Sequence, residues 1–90
     1  MSQLCIKVNV TGRVQGVGFR FHTAHEGLKY SLKGYAKNLP DGSVEIMACG
    51  EESDIDSLLL WLASGVKLAD VQSINTERLE WRHMDGFAIK

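Results

Sequence analysis

Ninety residues, 44% of them hydrophobic and 23% charged, are enough for one two-layer core and leave no room for a second domain. A chain of this size buries roughly 60–65% of the surface that its unfolded form exposes. The net charge of -1 excludes the broad electrostatic pull that a strongly basic domain exerts on nucleic acid or anionic lipid, so any anion bound here must be held locally.

The opening residues Met1-Ser2-Gln3-Leu4-Cys5-Ile6-Lys7 lack the charged and apolar regions of a signal peptide, and no apolar run approaches membrane-spanning length. A cytoplasmic protein without a membrane partner is expected. Asn9-Val10-Thr11 matches a glycosylation sequon, a chance match in a chain without an export signal.

From Cys5 to Thr11 the chain alternates, with Ile6, Val8 and Val10 on one face and Lys7, Asn9 and Thr11 on the other, which predicts a strand covered on one side. Phe21, Ala24 and Leu28 then recur at helical spacing and predict a helix over 21–30, with Gly27 inside it at a cost of about 1 kcal/mol relative to alanine. Residues 34–38 read as a second strand, Leu39-Pro40-Asp41-Gly42 as a turn, and 43–49 as a third strand that closes a hairpin. Ser53 is placed to cap a second helix, with Asp56 three residues on and an apolar stripe of Ile55, Leu58, Leu59 and Leu62 ending before Gly65. Residues 71–74 make a short fourth strand, and 87–90 are extended enough to add an edge strand. This order of elements, βαββαβ plus a short edge strand, predicts an α+β fold: a ferredoxin-like sandwich, its antiparallel sheet carrying two helices on one face. No internal repeat, linker or low-complexity stretch interrupts it.

Between the first strand and the first helix runs Gly12-Arg13-Val14-Gln15-Gly16-Val17-Gly18-Phe19-Arg20. Glycines by themselves serve a tight connection equally well. With Arg20 directly after them the segment reads as an anion cradle, its N–H groups turned inward, a helix N-terminus behind it and a guanidinium fork closing it. It is neither a Walker loop, which would end in Gly-Lys-Ser/Thr, nor a dinucleotide fingerprint, which needs Gly-x-Gly-x-x-Gly within a larger parallel sheet.

Taken with the later block Lys37-Asn38-Leu39-Pro40-Asp41-Gly42-Ser43-Val44-Glu45, this loop resembles the acylphosphatase family, and the order of elements agrees over nearly the whole chain. The resemblance implies hydrolysis of a small-molecule acyl phosphate to a carboxylate and inorganic phosphate, without metal or other cofactor. It implies that the backbone N–H groups around Gln15, Gly16, Val17, Gly18 and Phe19 and the guanidinium of Arg20 hold the phosphoryl oxygens, and that Asn38 places the attacking water. Read without the resemblance, Asn38 is a turn-starting residue that caps the backbone. The sequence departs from the family pattern at Gly27, at Tyr30-Ser31 and at Tyr35, positions that bear on packing and helix termination.

The remaining candidates have plainer readings. His22, His25 and His83 are expected at the surface, since two histidines three apart on a helix have no third ligand nearby. Glu51, Glu52, Asp54 and Asp56 are charge at a helix start and not a metal site. Trp61 and Trp81 are expected to cover core or sheet, and Thr23 either bonds near Arg20 or lies on the helix surface. If the first and third strands are antiparallel neighbours, Cys5 falls opposite Cys49, Lys7 opposite Met47 and Asn9 opposite Glu45, which opens a cross-strand disulfide to the two cysteines; a reducing cytoplasm favours free thiols. Nucleic-acid binding by the open face is disfavoured, because it offers Lys7, Asn9, Glu45 and Met47 where RNA readers expose stacking aromatics. A regulatory domain that binds an anion without turnover remains an alternative, and the matched Asn38 argues against it. A monomer is the default.

Overall fold

The computed structural model describes residues 2–90. Its elements follow the expected order: β1 (Gln3–Arg13), α1 (Phe19–Lys29), β2 (Lys33–Asn38), β3 (Val44–Glu51), α2 (Glu52–Leu62), β4 (Asp70–Leu79) and β5 (Phe87–Ile89). The strands form one sheet in the order β4-β1-β3-β2-β5. β1 lies antiparallel between β3 and β4, β2 is antiparallel to β3, and β5 joins β2 in parallel.

The core lies between the sheet and the two helices. Leu4, Ile6, Val8 and Val10 of β1, Ala36 of β2, and Val44, Ile46 and Ala48 of β3 face Phe19 and Ala24 of α1 and Ile55, Leu58 and Leu62 of α2. Strict alternation along β1 and β3 places this set on one side of the pleat, so a one-residue slip would turn all of it outward. The register pairs Cys5 with Cys49, Lys7 with Met47 and Asn9 with Glu45, as the parity of the sequence requires.

Several boundaries differ from the sequence reading. α1 starts two residues before the predicted Phe21 and buries Phe19, Thr23, Ala24 and Gly27, while Phe21 and Leu28 of the expected stripe are exposed. Gly27 explains the shift of face: a Cβ there would stand 2.5 Å from Cε2 of Phe87, so the helix meets β5 through its backbone. α2 starts at Glu52 after Glu51, without a side-chain cap, so Ser53 is not the cap. Glu52 and Asp54 supply negative charge to the first turn, and the Glu52 N–H is taken by the Ser2 carbonyl at 2.9 Å. β4 runs for ten residues instead of four because its backbone bonds are made to β1 along that length, although its side chains lie at an exposed edge and carry little apolar alternation.

The second sheet face is also less open than expected. Met47 is only 2% exposed, in a small cluster with Cys5 and Cys49 against which Tyr35, Leu79 and Met84 pack. Met84 belongs to the irregular segment between β4 and β5, which shields this end of the face, whereas Trp81 of the same segment is 46% exposed and covers no core. Trp61 is half-buried at the edge of the main core. Cys5 and Cys49 are joined as a disulfide.

Candidate active site

The loop from β1 to α1 owes its shape to glycines at two points. Gly16 and Gly18 have φ of 77° and 78°, the left-handed region that other residues enter only at a cost of about 1–2 kcal/mol, and Gly18 is also the N-cap of α1. No side chain caps this helix and its first turn holds no acidic residue. Its leading N–H groups and the positive end of its dipole are therefore directed at the loop, a suitable seat for an anion. Because the helix begins at Phe19, Arg20 lies within that first turn.

Arg20 and Asn38 come from different elements and meet at the end of β5. The Arg20 guanidinium donates through Nη1 to the main-chain oxygen of Lys90 at 2.7 Å, and the Asn38 backbone N–H donates to the same oxygen at 3.3 Å. The arginine spends one of five donors on this anchor, which fixes the direction of the fork. Asn38 ends β2, and its side-chain Oδ1 is buried with no donor among the described residues. A buried amide oxygen of this kind is an acceptor for a water hydrogen.

The sequence reading assigns Gln15 only a backbone N–H in the cradle; the structure adds a role for its side chain. Its Nε2 donates to the carbonyls of Leu39 at 2.8 Å and Ser43 at 2.9 Å, which ties the glycine loop to the β2–β3 turn. The turn is itself closed by Leu39 N–H to the Ser43 carbonyl and by Gly42 N–H to the Leu39 carbonyl. Asp41 accepts from the Ser43 hydroxyl at 2.6 Å and the Ser43 N–H at 2.9 Å, and these two bonds hold its carboxyl below the ordinary value. The sequence shows the turn but not this tie, because a glutamine inside a glycine loop has no local pattern that names its partners.

The other candidates are not hydrogen-bonded to Arg20 or Asn38. His22, His25 and His83 are exposed, His83 beside Asp85, and among the described residues no three His, Cys, Asp or Glu side chains gather as a metal-ligand set. Thr23 is fully buried and its hydroxyl has no partner among the described residues, so it is neither a surface residue nor bonded to Arg20. Among those residues no helix is long and apolar enough to cross a membrane.

The acylphosphatase family model matches residues 6–89. A protein named acylphosphatase in Photobacterium profundum is 63% identical over 90 residues, the full length of both chains. Another of that name in Vibrio parahaemolyticus is 48% identical over 89 residues, covering 99% of each. Among solved structures, an acylphosphatase from Coxiella burnetii superposes with a TM-score of 0.93 at 38% identity, over 98% of this chain and 93% of that one. The acylphosphatase from Bacillus subtilis gives a TM-score of 0.93 at 35% identity, over 97% and 98% of the two chains. Both loop and hairpin fall inside a match that runs nearly end to end, and the chain belongs to the acylphosphatase family.

Proposed function

We propose that the chain carries out its family's reaction, hydrolysis of the carboxyl–phosphate bond of a small acyl phosphate, with the loop 15–19 and Arg20 holding the phosphoryl group and Asn38 directing the water. Loop N–H groups and the guanidinium neutralise charge on the phosphoryl oxygens, including the charge that develops as the bond to the acyl oxygen breaks. Water accepts a hydrogen-bonded position at Asn38 Oδ1 and attacks phosphorus. The carboxylate leaves with the electron pair of the broken P–O bond, and the water proton passes to a phosphoryl oxygen, giving inorganic phosphate. A carboxylate leaves readily, so the scheme requires positioning and charge neutralisation and neither a side-chain nucleophile nor a metal.

One observation carries this reading: Arg20 and Asn38 share the Lys90 main-chain oxygen, which sets an anion fork next to a buried, unpartnered amide acceptor. Gln15 belongs to the scheme as the residue that holds loop and turn in one piece. The reading includes a cytoplasmic monomer of one domain that takes a small molecule, and the net charge of -1 supports the exclusion of nucleic acid.

The test is the loss of benzoyl phosphate absorbance in the presence of a chelator. Arg20→Ala is expected to lose at least about 10²–10³-fold in turnover and to bind inorganic phosphate weakly. Asn38→Ala is expected to turn over poorly while it still binds phosphate, because its contribution is made to the water. Near-normal turnover by the Arg20 variant would sink the mechanism, and equal loss of turnover and phosphate affinity in the Asn38 variant would make Asn38 a shaper of the loop.

A further inference from the structure

Among the described residues, the buried side-chain polar atoms without a hydrogen-bond partner are Asn38 Oδ1 and Thr23 Oγ1. We propose that they are two halves of one water seat, and that the Thr23 hydroxyl holds the same attacking water that Asn38 receives. The inference rests on the hydrolase reading above and adds a residue to it.

The chemistry of the two atoms is complementary. A buried polar atom left unpaired carries the full penalty of its desolvation. Thr23 is fully buried, and its hydroxyl does not bond even the Phe19 carbonyl one turn back, the ordinary outlet for a helical threonine. Asn38 Oδ1 can only accept, whereas the hydroxyl can donate. One water between them satisfies both, which is the usual role of buried water.

The fold brings the two residues to one place. Along β2, Gly34 and Ala36 are buried towards the helices while Tyr35 packs on the opposite face, so Asn38 shares the helix-facing side. α1 packs on β2 and β5 and is fixed over them at two points. At one, Gly27 meets the Phe87 ring, and Phe87 pairs with Gly34. At the other, Arg20 bonds the Lys90 oxygen that also receives the Asn38 N–H. Thr23 lies between these points, with Phe19 and Gly27 one turn before and after it on the same buried side. It stands about 4.5 Å along the helix axis from Arg20, which on β2 corresponds to the interval between Ala36 and Asn38. Ala36 offers only a methyl group there.

The valences of the water account for each contact. One hydrogen is donated to Asn38 Oδ1, and the second points at a phosphoryl oxygen, to which it passes as the bond to phosphorus forms. The Thr23 O–H donates into one lone pair, and the other lone pair is left for phosphorus. With Asn38 alone the water can turn about a single hydrogen bond; the threonine removes that freedom and keeps its own proton throughout.

The experiment measures kcat for benzoyl phosphate, the inhibition constant of inorganic phosphate and Tm in the parent, Thr23→Val and Thr23→Ser. Thr23→Val, which keeps the shape and removes the hydroxyl, is expected to lose roughly tenfold in kcat with phosphate inhibition unaltered and a Tm no lower than the parent's. Thr23→Ser, which keeps the hydroxyl and loses a buried methyl, is expected to hold kcat within about twofold at a lower Tm. A purely structural role gives activity and stability the same order in the two variants; here the orders are opposite. In an Asn38→Ala background the valine substitution should cost no further turnover. Parent-like kcat in Thr23→Val, or equal losses in the valine and serine variants, would overturn the seat and leave the hydrolase reading standing. Failure of the parent to turn over benzoyl phosphate would overturn the hydrolase reading and the seat with it.

Discussion

Ser31 is the only non-glycine residue with positive φ among the described residues, at 62°, and it stands where α1 ends. The Leu32 N–H returns to the Gly27 carbonyl and the Ser31 N–H to that of Leu28, both at 2.9 Å, the paired bonds of a Schellman ending. Such an ending requires a left-handed residue after the cap, and serine meets the requirement at a steric cost that glycine avoids. Ser31→Gly is expected to stabilise the protein by roughly 1 kcal/mol, a rise in Tm of about 4–8 °C, read by thermal unfolding. Tyr35 gives a second case. Burial and the hydrogen bond it donates to Glu45 push its phenol up to about 12. A raised value favours the protonated form in the fold, so its contribution to stability is complete below pH 10.0, the ordinary value, and is lost as the pH climbs towards 12. Urea unfolding across that interval should show a decline that is smaller in Tyr35→Phe; equal declines would mean that the hydrogen bond does not survive in solution. Tyr30, raised chiefly by its bond to Glu26, adds a decline of the same sign in both proteins. The role assigned to Asn38 is legible only through the nine-residue block around it, since an asparagine before Leu-Pro-Asp-Gly is otherwise an ordinary turn residue.

Among the elements, α1 shows where pattern reading fails. Phe21, Ala24 and Leu28 look like a core stripe, yet the buried set is Phe19, Thr23, Ala24 and Gly27, because the face towards β5 is made of small or polar residues that a hydrophobic count passes over. Propensity alone says that Gly27→Ala gains about 1 kcal/mol. The Phe87 ring opposes it: the new methyl would press on Cε2 at 2.5 Å, and overpacking of a tight contact costs about 1–3 kcal/mol. A net loss of stability is expected, measured by denaturant midpoint, and a gain would show that Phe87 is free to move aside. The hairpin was the easiest element to read, as turn chemistry and alternation agree at each residue from Gly34 to Cys49. β4 was the hardest, its length being set by pairing to β1 and not by its own composition.

For the molecule as a whole, the sheet order follows from the sequence of elements, and the parity of β1 and β3 alone brings the two cysteines opposite each other. The parallel attachment of β5 and the shield over Met47 were not legible, because both depend on the path of the irregular segment 80–86. The disulfide spans a sequence separation of 44 residues, and chain entropy puts its worth near 4 kcal/mol, with 2–4 the usual range. Since Cys5 and Cys49 sit at the end of the sheet remote from the glycine loop, reduction is expected to lower the unfolding free energy by about 2–4 kcal/mol and to leave acyl phosphate turnover close to that of the oxidised protein. Two free thiols in denatured protein prepared without reductant would show that the bond does not form.

The shared acceptor at Lys90 also has a bearing on motion. Asn38 and Arg20 converge on the main chain just beyond a strand of three residues, attached along one side to β2. Opening of so short an edge segment requires far less than global unfolding, and it would release the guanidinium from its anchor and the Asn38 amide to exchange with solvent. On the proposed mechanism the phosphate fork is thus tied, through Lys90, to a strand of three residues held along one side, while most of the core lies under β1 and β3. If Arg20 and Asn38 act as proposed, such an opening is expected to stop turnover while the core under β1 and β3 stays folded.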